Sequence, residues 1–255
     1  AARLSPKSFT KDVPQTATRD GYGNGLVELG AENPNVVVLC GDLKESTRTE
    51  WFEKKYPDRF IEVGIAEQNM AAMAAGLALS GKIPFVATYA VFCPGRNWDQ
   101  VRISICYQNV GVKLSGAHAG ISVGTDGATH QAMEDIAITR VLPNMTVLVP
   151  CDAEESRKVV HAAAQISGPV YMRFARHKTP LFTTARTPFG IGQSLQLTEG
   201  GDATIMACGP IVYSALEAVR ELAGKGIAVR VVNMPTVKPL DAPAIQRAAR
   251  ETGAI

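Results

Sequence analysis

The sequence predicts an α/β protein, a doubly wound and mainly parallel sheet followed by a smaller α/β segment. Three observations predict it. Short apolar, β-rich runs alternate with helical patterns, as in βαβ units. The polar residues with evident chemistry fall just after those runs, where ligands bind in an open parallel sheet. A stretch marked by Pro180, Pro188, Gly190 and Gly192 then interrupts the alternation between residues 176 and 195 before it resumes.

Taken in order, a helical pattern over residues 18–31 precedes the strand Val36-Val37-Val38-Leu39-Cys40 and the loop 41–46. A helix over 49–55, a strand over 60–63 and an apolar helix over 66–79 follow, then a strand over 83–88 and a helix over 97–106. A strand over 111–114 leads into a glycine-rich stretch, 115–129, with no helical period and hence a loop. A helix over 132–139, a strand over 146–149, a helix over 153–164 and a strand over 170–173 complete a six-strand sheet. The first domain is therefore placed at 1–180, a linker at 181–195 and a second domain at 196–255. The second domain holds strands over 203–207 and 228–232 and helices over 212–224 and 242–252, with no catalytic constellation; packing and subunit association are its expected work.

The bulk numbers exclude several classes. A length of 255 residues, 46% apolar, suits one large or two medium domains with ample core. A net charge of +2 without any Lys/Arg block argues against nucleic acid or a membrane surface as partner. No apolar run reaches spanning length and no secretory leader opens the chain. Five scattered cysteines, never in a C-x-x-C pair, read as reduced thiols of the cytoplasm rather than a disulfide or zinc framework. The chain begins without Met and ends at Ile255, where another strand is due, as a processed or truncated piece would.

The segment Phe60-Ile61-Glu62-Val63-Gly64-Ile65-Ala66-Glu67-Gln68-Asn69-Met70 is the most informative. A strand breaks at a glycine and delivers Glu67 into the first turn of a helix that is apolar almost all round, the mark of a buried helix. A carboxylate at a helix start is ordinarily held by the macrodipole, worth about 0.3–1 kcal/mol. One pulled both ways, by a dry interior and by the positive helix end, is suited to proton exchange.

The loop Ser115 to Gln131 is the second constellation, with His118, Asp126 and His130 set among four glycines. No helical i, i+4 histidine pair accompanies them, which disfavours a metal, and proton exchange or holding of hydroxyls fits better. Arg19, Ser46 and Arg176 are unremarkable singly, but all three are predicted at the same rim, where two guanidinium groups hold a phosphate bidentately. Tyr89 and Phe92 follow a strand end and suit stacking on a planar ring, although core packing is the commoner use. His161 and His177 read as an exposed helix position and a linker neighbour.

Together, Gly-Ile65-Ala-Glu67-Gln-Asn-Met, Gly-Asp42-Leu-x-x-Ser46, Ala-Thr-Arg19 and Gly-Thr-Asp126-Gly-Ala-Thr-His130-Gln, with His118 twelve residues before His130, resemble transketolase. The resemblance runs from about Ala17 to the end. It implies a thiamine-diphosphate-binding fold of the pyrimidine type plus an incomplete C-terminal domain. The Gly-Asp-Gly…Asn signature that holds the diphosphate through Mg²⁺ in full transketolases is missing, so the resemblance is to the C-terminal subunit of a transketolase divided between two polypeptides. It implies an N-terminal partner carrying the Mg²⁺ ligands, an α₂β₂ assembly and phosphosugar substrates.

By that resemblance Glu67 hydrogen-bonds N1′ of the thiamine aminopyrimidine and favours the imino tautomer, whose nitrogen removes the thiazolium C2 proton. Phe92 and Tyr89 pack on the pyrimidine with Ile65 nearby, and Asp42 lies near the thiazolium. His118 and His130 contact substrate hydroxyls and exchange protons, and Asp126 recognises a sugar hydroxyl. Arg19, Ser46 and Arg176 hold the terminal phosphate. One departure concerns the third aromatic of many transketolases, replaced here by Gly95, with Arg96 or Trp98 available to fill the space. Rival readings are deoxyxylulose-phosphate synthase, the β subunit of a 2-oxo-acid dehydrogenase, or a non-catalytic regulatory subunit. The phosphate-binding set favours a phosphosugar over a 2-oxo acid, and the retained Glu67, His118, Asp126 and His130 argue against a silent subunit.

Overall fold

β-branched residues favour pleated strands, and Val36-Val37-Val38-Leu39-Cys40 is buried along its whole length at the middle of a sheet. The computed structural model describes residues 4–255. In chain order its elements are β1 (Gln15–Ala17), α1 (Thr18–Glu32), β2 (Val36–Cys40), α2 (Lys44–Thr47), α3 (Glu50–Lys55), β3 (Phe60–Glu62), α4 (Glu67–Leu79), β4 (Ile83–Tyr89), α5 (Trp98–Gln100), β5 (Lys113–Ala117), α6 (Asp135–Arg140), β6 (Thr146–Leu148), α7 (Ala153–Ala164), β7 (Val170–Arg173), β8 (Lys178–Pro180), β9 (Leu195–Gln196), β10 (Ala203–Ala207), α8 (Ile211–Ala223), β11 (Val229–Asn233), β12 (Thr236–Lys238) and α9 (Ala242–Glu251).

The main sheet has the order β12-β6-β7-β5-β4-β2-β3, parallel throughout except at the β12 edge. Period-two alternation sorts its side chains. Val36, Val38 and Phe85 face α1, α3 and α7, where they pack with Tyr22, Leu26, Phe52 and Val159. Val37, Leu39, Val86 and Leu114 face α4 and the 101–107 helix, where they meet Met70, Ala71, Ala74 and Ile105. Helices therefore cover both faces, and the parallel strands open their carboxyl ends along one rim. Helix α1 lies close on α7 because glycine lets it: a Cβ at Gly21 would stand 1.9 Å from the Ala153 carbonyl oxygen. The second segment pairs β10 with β11 in parallel and β9 with β11 antiparallel, and α8 buries Val212, Leu216 and Val219 in its own core.

Several expectations change. The main sheet has seven strands rather than six, because β12 of the second segment pairs antiparallel with β6. It is short and broken off by Pro239, so it carries no apolar run to read, and it covers an edge that β6 would otherwise leave open. The fifth strand lies at Lys113–Ala117, further on than the 111–114 expected, since Ser115 and Gly116 look like loop residues. Gly116 belongs there because the Tyr171 hydroxyl sits 2.0 Å from where its Cβ would be. The expected loop 41–46 contains the start of α2, the 97–106 helix splits into α5 and a π-helical stretch over Val101–Tyr107, and the 132–139 helix begins only at Asp135.

The 181–195 stretch is tied down rather than free. Preceding it, β8 pairs with β1, and the buried carboxylate of Asp152 accepts hydrogen bonds from the Phe182 N–H (3.0 Å), the Thr183 N–H (2.6 Å) and the Thr183 hydroxyl (2.7 Å) while capping α7 through the Glu155 N–H (2.9 Å). Helix α4 is buried on one face only. Ala72, Met73, Gly76 and Leu79 are exposed, beside exposed Ile103 and Tyr107 of the π-helical stretch. An apolar surround signals burial without saying which chain supplies the cover. His161 is half-buried and faces Glu28 (3.1 Å) and Glu32 (3.5 Å), whereas His177 is exposed. Among the described residues no helix is long and apolar enough to cross a membrane.

Candidate active site

Two non-glycine residues at the strand carboxyl ends adopt left-handed backbone, Asp42 after β2 (φ 58°) and His118 after β5 (φ 56°). Such conformations are uncommon for non-glycine residues and cluster at functional sites. Glu62 at the end of β3 braces the first: its Oε1 accepts from the N–H groups of Asp42 (2.8 Å) and Gly64 (3.0 Å).

Glu67 opens α4 and is 2% exposed. The Asn97 side-chain amide donates to its backbone carbonyl (3.0 Å), which fixes the helix start. Its carboxylate accepts from Arg96 Nη1, 3.0 Å from each oxygen, and the Arg96 guanidinium also lies 4.4 Å over the Phe92 ring. Gly41, Asp42, Leu43, Ile65, Glu67, Phe92, Arg96 and His130 line a cavity of about 300 Å³. Of Arg96 and Trp98, it is Arg96 that lies against the Phe92 ring. Trp98 turns away and donates to the Ile138 carbonyl (2.7 Å). A side chain at Gly95 could not enter without moving the backbone, because its Cβ would lie 2.1 Å from the Val91 carbonyl oxygen.

An aromatic wall joins this cavity to the rest of the rim. Tyr89 and Phe92 are nearly parallel, 6° apart with centroids separated by 6.1 Å. His130 meets both edge-on at 6.0 and 5.4 Å, and its Nδ1 is 2.9 Å from the Thr129 hydroxyl. The His118 ring packs on Tyr89 at 4.2 Å.

The Arg19 guanidinium donates through Nη1 to the Ser46 carbonyl (2.8 Å) and to His118 Nε2 (3.0 Å), while the Tyr89 hydroxyl donates to Ser46 Oγ (3.1 Å). Arginine has only donors, so Nε2 accepts and the His118 proton sits on Nδ1. That Nδ1 is buried and has no hydrogen-bond partner among the described residues. Burial, reinforced by Arg19 and Arg176, pushes His118 down to about 3, so it is a neutral donor at physiological pH. Burial and the neighbouring Arg48 also lower the pKa of Arg19. Arg48, itself left-handed (φ 67°), is paired with Asp20 at 2.6 Å. Arg176 donates to the Val123 carbonyl (2.6 Å) and Asp126 (3.1 Å), and no hydrogen bond joins it to Arg19 or Ser46.

The residues singled out by sequence thus fall into two joined groups, Glu67, Phe92, Asp42, Ile65 and His130 around the cavity and Arg19, Ser46, Tyr89 and His118 beside it. Asp126 and Arg176 form a pair of their own on the glycine-rich loop. Glu62, Arg48 and the ion pair of Arg96 escaped sequence reasoning, since no local pattern announces which surface charge reaches a strand end. Among the described residues no three His, Cys, Asp or Glu side chains are grouped to hold a metal.

The site thus sets a dry carboxylate beside an aromatic ring at the carboxyl ends of a parallel sheet. The model of the transketolase pyrimidine-binding domain matches residues 14–180, and that of the transketolase C-terminal domain matches residues 192–255. The chain belongs to the transketolase family and corresponds to its C-terminal section, and a pyrimidine-binding domain of this family implies use of thiamine diphosphate. It is 44% identical over 231 residues to a putative transketolase C-terminal section of Methanocaldococcus jannaschii, covering 90% of this chain and 73% of that one. It is 40% identical to a 6-deoxy-6-sulfo-D-fructose transketolase subunit of Clostridium sp. strain MSTE9, over 93% of this chain and 74% of that protein. Among solved structures it is similar to a split-gene transketolase described as an inactive β₄ tetramer, with a TM-score of 0.87, 48% identity and coverage of 94% and 78% of the two chains.

Proposed function

We propose that this chain is the C-terminal subunit of a split transketolase, which moves a two-carbon ketol unit from a ketose phosphate to an aldose phosphate. It acts only when joined to an N-terminal subunit that carries the diphosphate and Mg²⁺ site. The observation that carries the reading is Glu67, buried at the head of α4 and facing a cavity walled by Phe92.

The residues fit thiamine diphosphate. Glu67 offers a carboxyl group from which water is excluded, and Phe92 offers a ring face for the aminopyrimidine. When bound, the cofactor supplies a carbon nucleophile that attacks the ketose carbonyl and holds the transferred fragment. Glu67 shares a proton with N1′ of the aminopyrimidine, and the dry pocket strengthens that hydrogen bond. Asp42 offers negative charge beside the cofactor's cationic ring. His118 is held neutral, so it donates its unpartnered Nδ1–H to a substrate oxygen, and proton movement falls to His130 on the cavity wall. Arg19 and Ser46 hold the terminal anion, with charge from Arg48 and Arg176 deepening the positive potential there. Asp126 selects a sugar hydroxyl while its ion pair orients Arg176.

The exposed apolar strip of α4 and the π-helical stretch supports an assembly in which another chain completes the site, and α₂β₂ is the stoichiometry expected. Activity is tested by mixing the chain with its diphosphate-binding partner, thiamine diphosphate and Mg²⁺. Ketose donors ending in phosphate or sulfonate are supplied with an aldose phosphate. Ketol transfer that needs both polypeptides is the expected result. Turnover of pyruvate or branched 2-oxo acids alone would overturn the reading.

A further inference from the structure

Arg96 makes both contacts that the proposed cofactor would require. Its guanidinium is planar and cationic, its Nη1 lies 3.0 Å from each oxygen of the Glu67 carboxylate, and its face covers the Phe92 ring at 4.4 Å. An aminopyrimidine has the same attributes, in-plane nitrogens that meet a carboxylate and a π-face that stacks on an aromatic ring. The two cannot occupy one carboxylate and one ring face together.

We propose that Arg96 is a built-in stand-in for the aminopyrimidine, neutralising Glu67 while the pocket is empty and withdrawing before the cofactor can seat. This rests on the reading of Glu67 and Phe92 as the pyrimidine site. Two features make the exchange workable. Glu67 is 2% exposed, and a carboxylate so buried is costly to leave unpaired, so a resident cation protects the free subunit. The Arg96 side chain is 47% exposed, so it can leave by rotating its stem into solvent without disturbing the core. The backbone stays anchored meanwhile: the Arg96 N–H donates to the Phe92 carbonyl (3.0 Å), and the side chain of Asn97, the next residue, holds the start of α4. The turn before it is tight: a Cβ at Gly95 would lie 2.1 Å from the Val91 carbonyl oxygen, so glycine lets the backbone take the path that sets Arg96 in place.

The experiment uses the complex reconstituted from the two subunits in the presence of Mg²⁺. Thiamine diphosphate is titrated by calorimetry, and its association is followed by stopped-flow fluorescence, for wild type, Arg96→Ala and Arg96→Lys. Removing the competitor should tighten cofactor binding roughly tenfold and speed association by a similar factor. Lysine keeps a charge for the buried carboxylate, so it folds even where alanine does not, and it lacks the planar fork, so it should also bind the cofactor faster than wild type. Unchanged or weaker binding in both variants would overturn the proposal. Failure of the wild-type complex itself to bind thiamine diphosphate would instead overturn the underlying assignment of the pyrimidine site, and the proposal with it.

Discussion

Burying a charge costs several kcal/mol unless hydrogen-bonding groups replace the lost water, and the rim of this sheet meets that demand side chain by side chain. Buried Glu67 is compensated by Arg96, the half-exposed Asp126 pairs with Arg176, and buried His118 gives up its charge. In the last case Nε2 is engaged by Arg19, and the buried Nδ1–H has no partner among the described residues. Arg19 itself spends one nitrogen on Ser46 and His118, and its buried Nε has no partner. Arg19→Met keeps the length of the side chain and removes the guanidinium. Because a hydrogen bond to a charged group contributes about 1.5–3 kcal/mol, KM for the anionic sugar should rise by about 10- to 100-fold with kcat largely retained, as steady-state kinetics on the reconstituted complex would show. A fall in kcat with KM unchanged would place Arg19 at the reacting carbon instead of the terminal anion.

Elements that looked alike in sequence play unlike parts. Strand β2 and helix α7 were legible because their periodicity reports burial directly: five buried residues in a row, and an apolar stripe behind an Asp cap. Strand β12 was not, since its place depends on an edge created elsewhere in the chain. Nor was the tie between α7 and the second segment. Glu155, in the first turn of α7, accepts from the Cys151 N–H (2.7 Å) and from the Asn233 amide of β11 (2.7 Å). Burial pushes its carboxyl up to about 7, against those hydrogen bonds, with Asp152 adding like charge. A carboxyl whose native pKa lies above its unfolded value binds more protons when folded, so the stability it contributes is full below about 4.5 and is lost as pH rises towards 7. Denaturation of wild type and Glu155→Gln across that range should show wild type losing, relative to the variant, on the order of 3 kcal/mol by pH 7. Parallel pH profiles would contradict the assignment.

For the whole molecule, the fold class and the rim of polar residues could be read from the sequence, because apolar runs mark the strands and several site residues lie in the segments just after them. Asp42, two residues past β2, and Glu67, five past β3, are the clearest cases. What could not be read depends on contacts between distant segments: the seventh strand, the left-handed backbone of Asp42 and His118, and the Arg96 ion pair. The expectation that α4 is buried all round failed for a related reason, since its outer face is bare within this chain. The central claim, that Glu67 exchanges a proton with thiamine diphosphate inside an assembly of two polypeptides, is tested most directly by hydrogen–deuterium exchange at the thiazolium C2 position in the reconstituted complex. Exchange should be fast in wild type, slowed by at least about a hundredfold in Glu67→Gln, and not accelerated by either subunit alone. Equal rates in wild type and Glu67→Gln would contradict it.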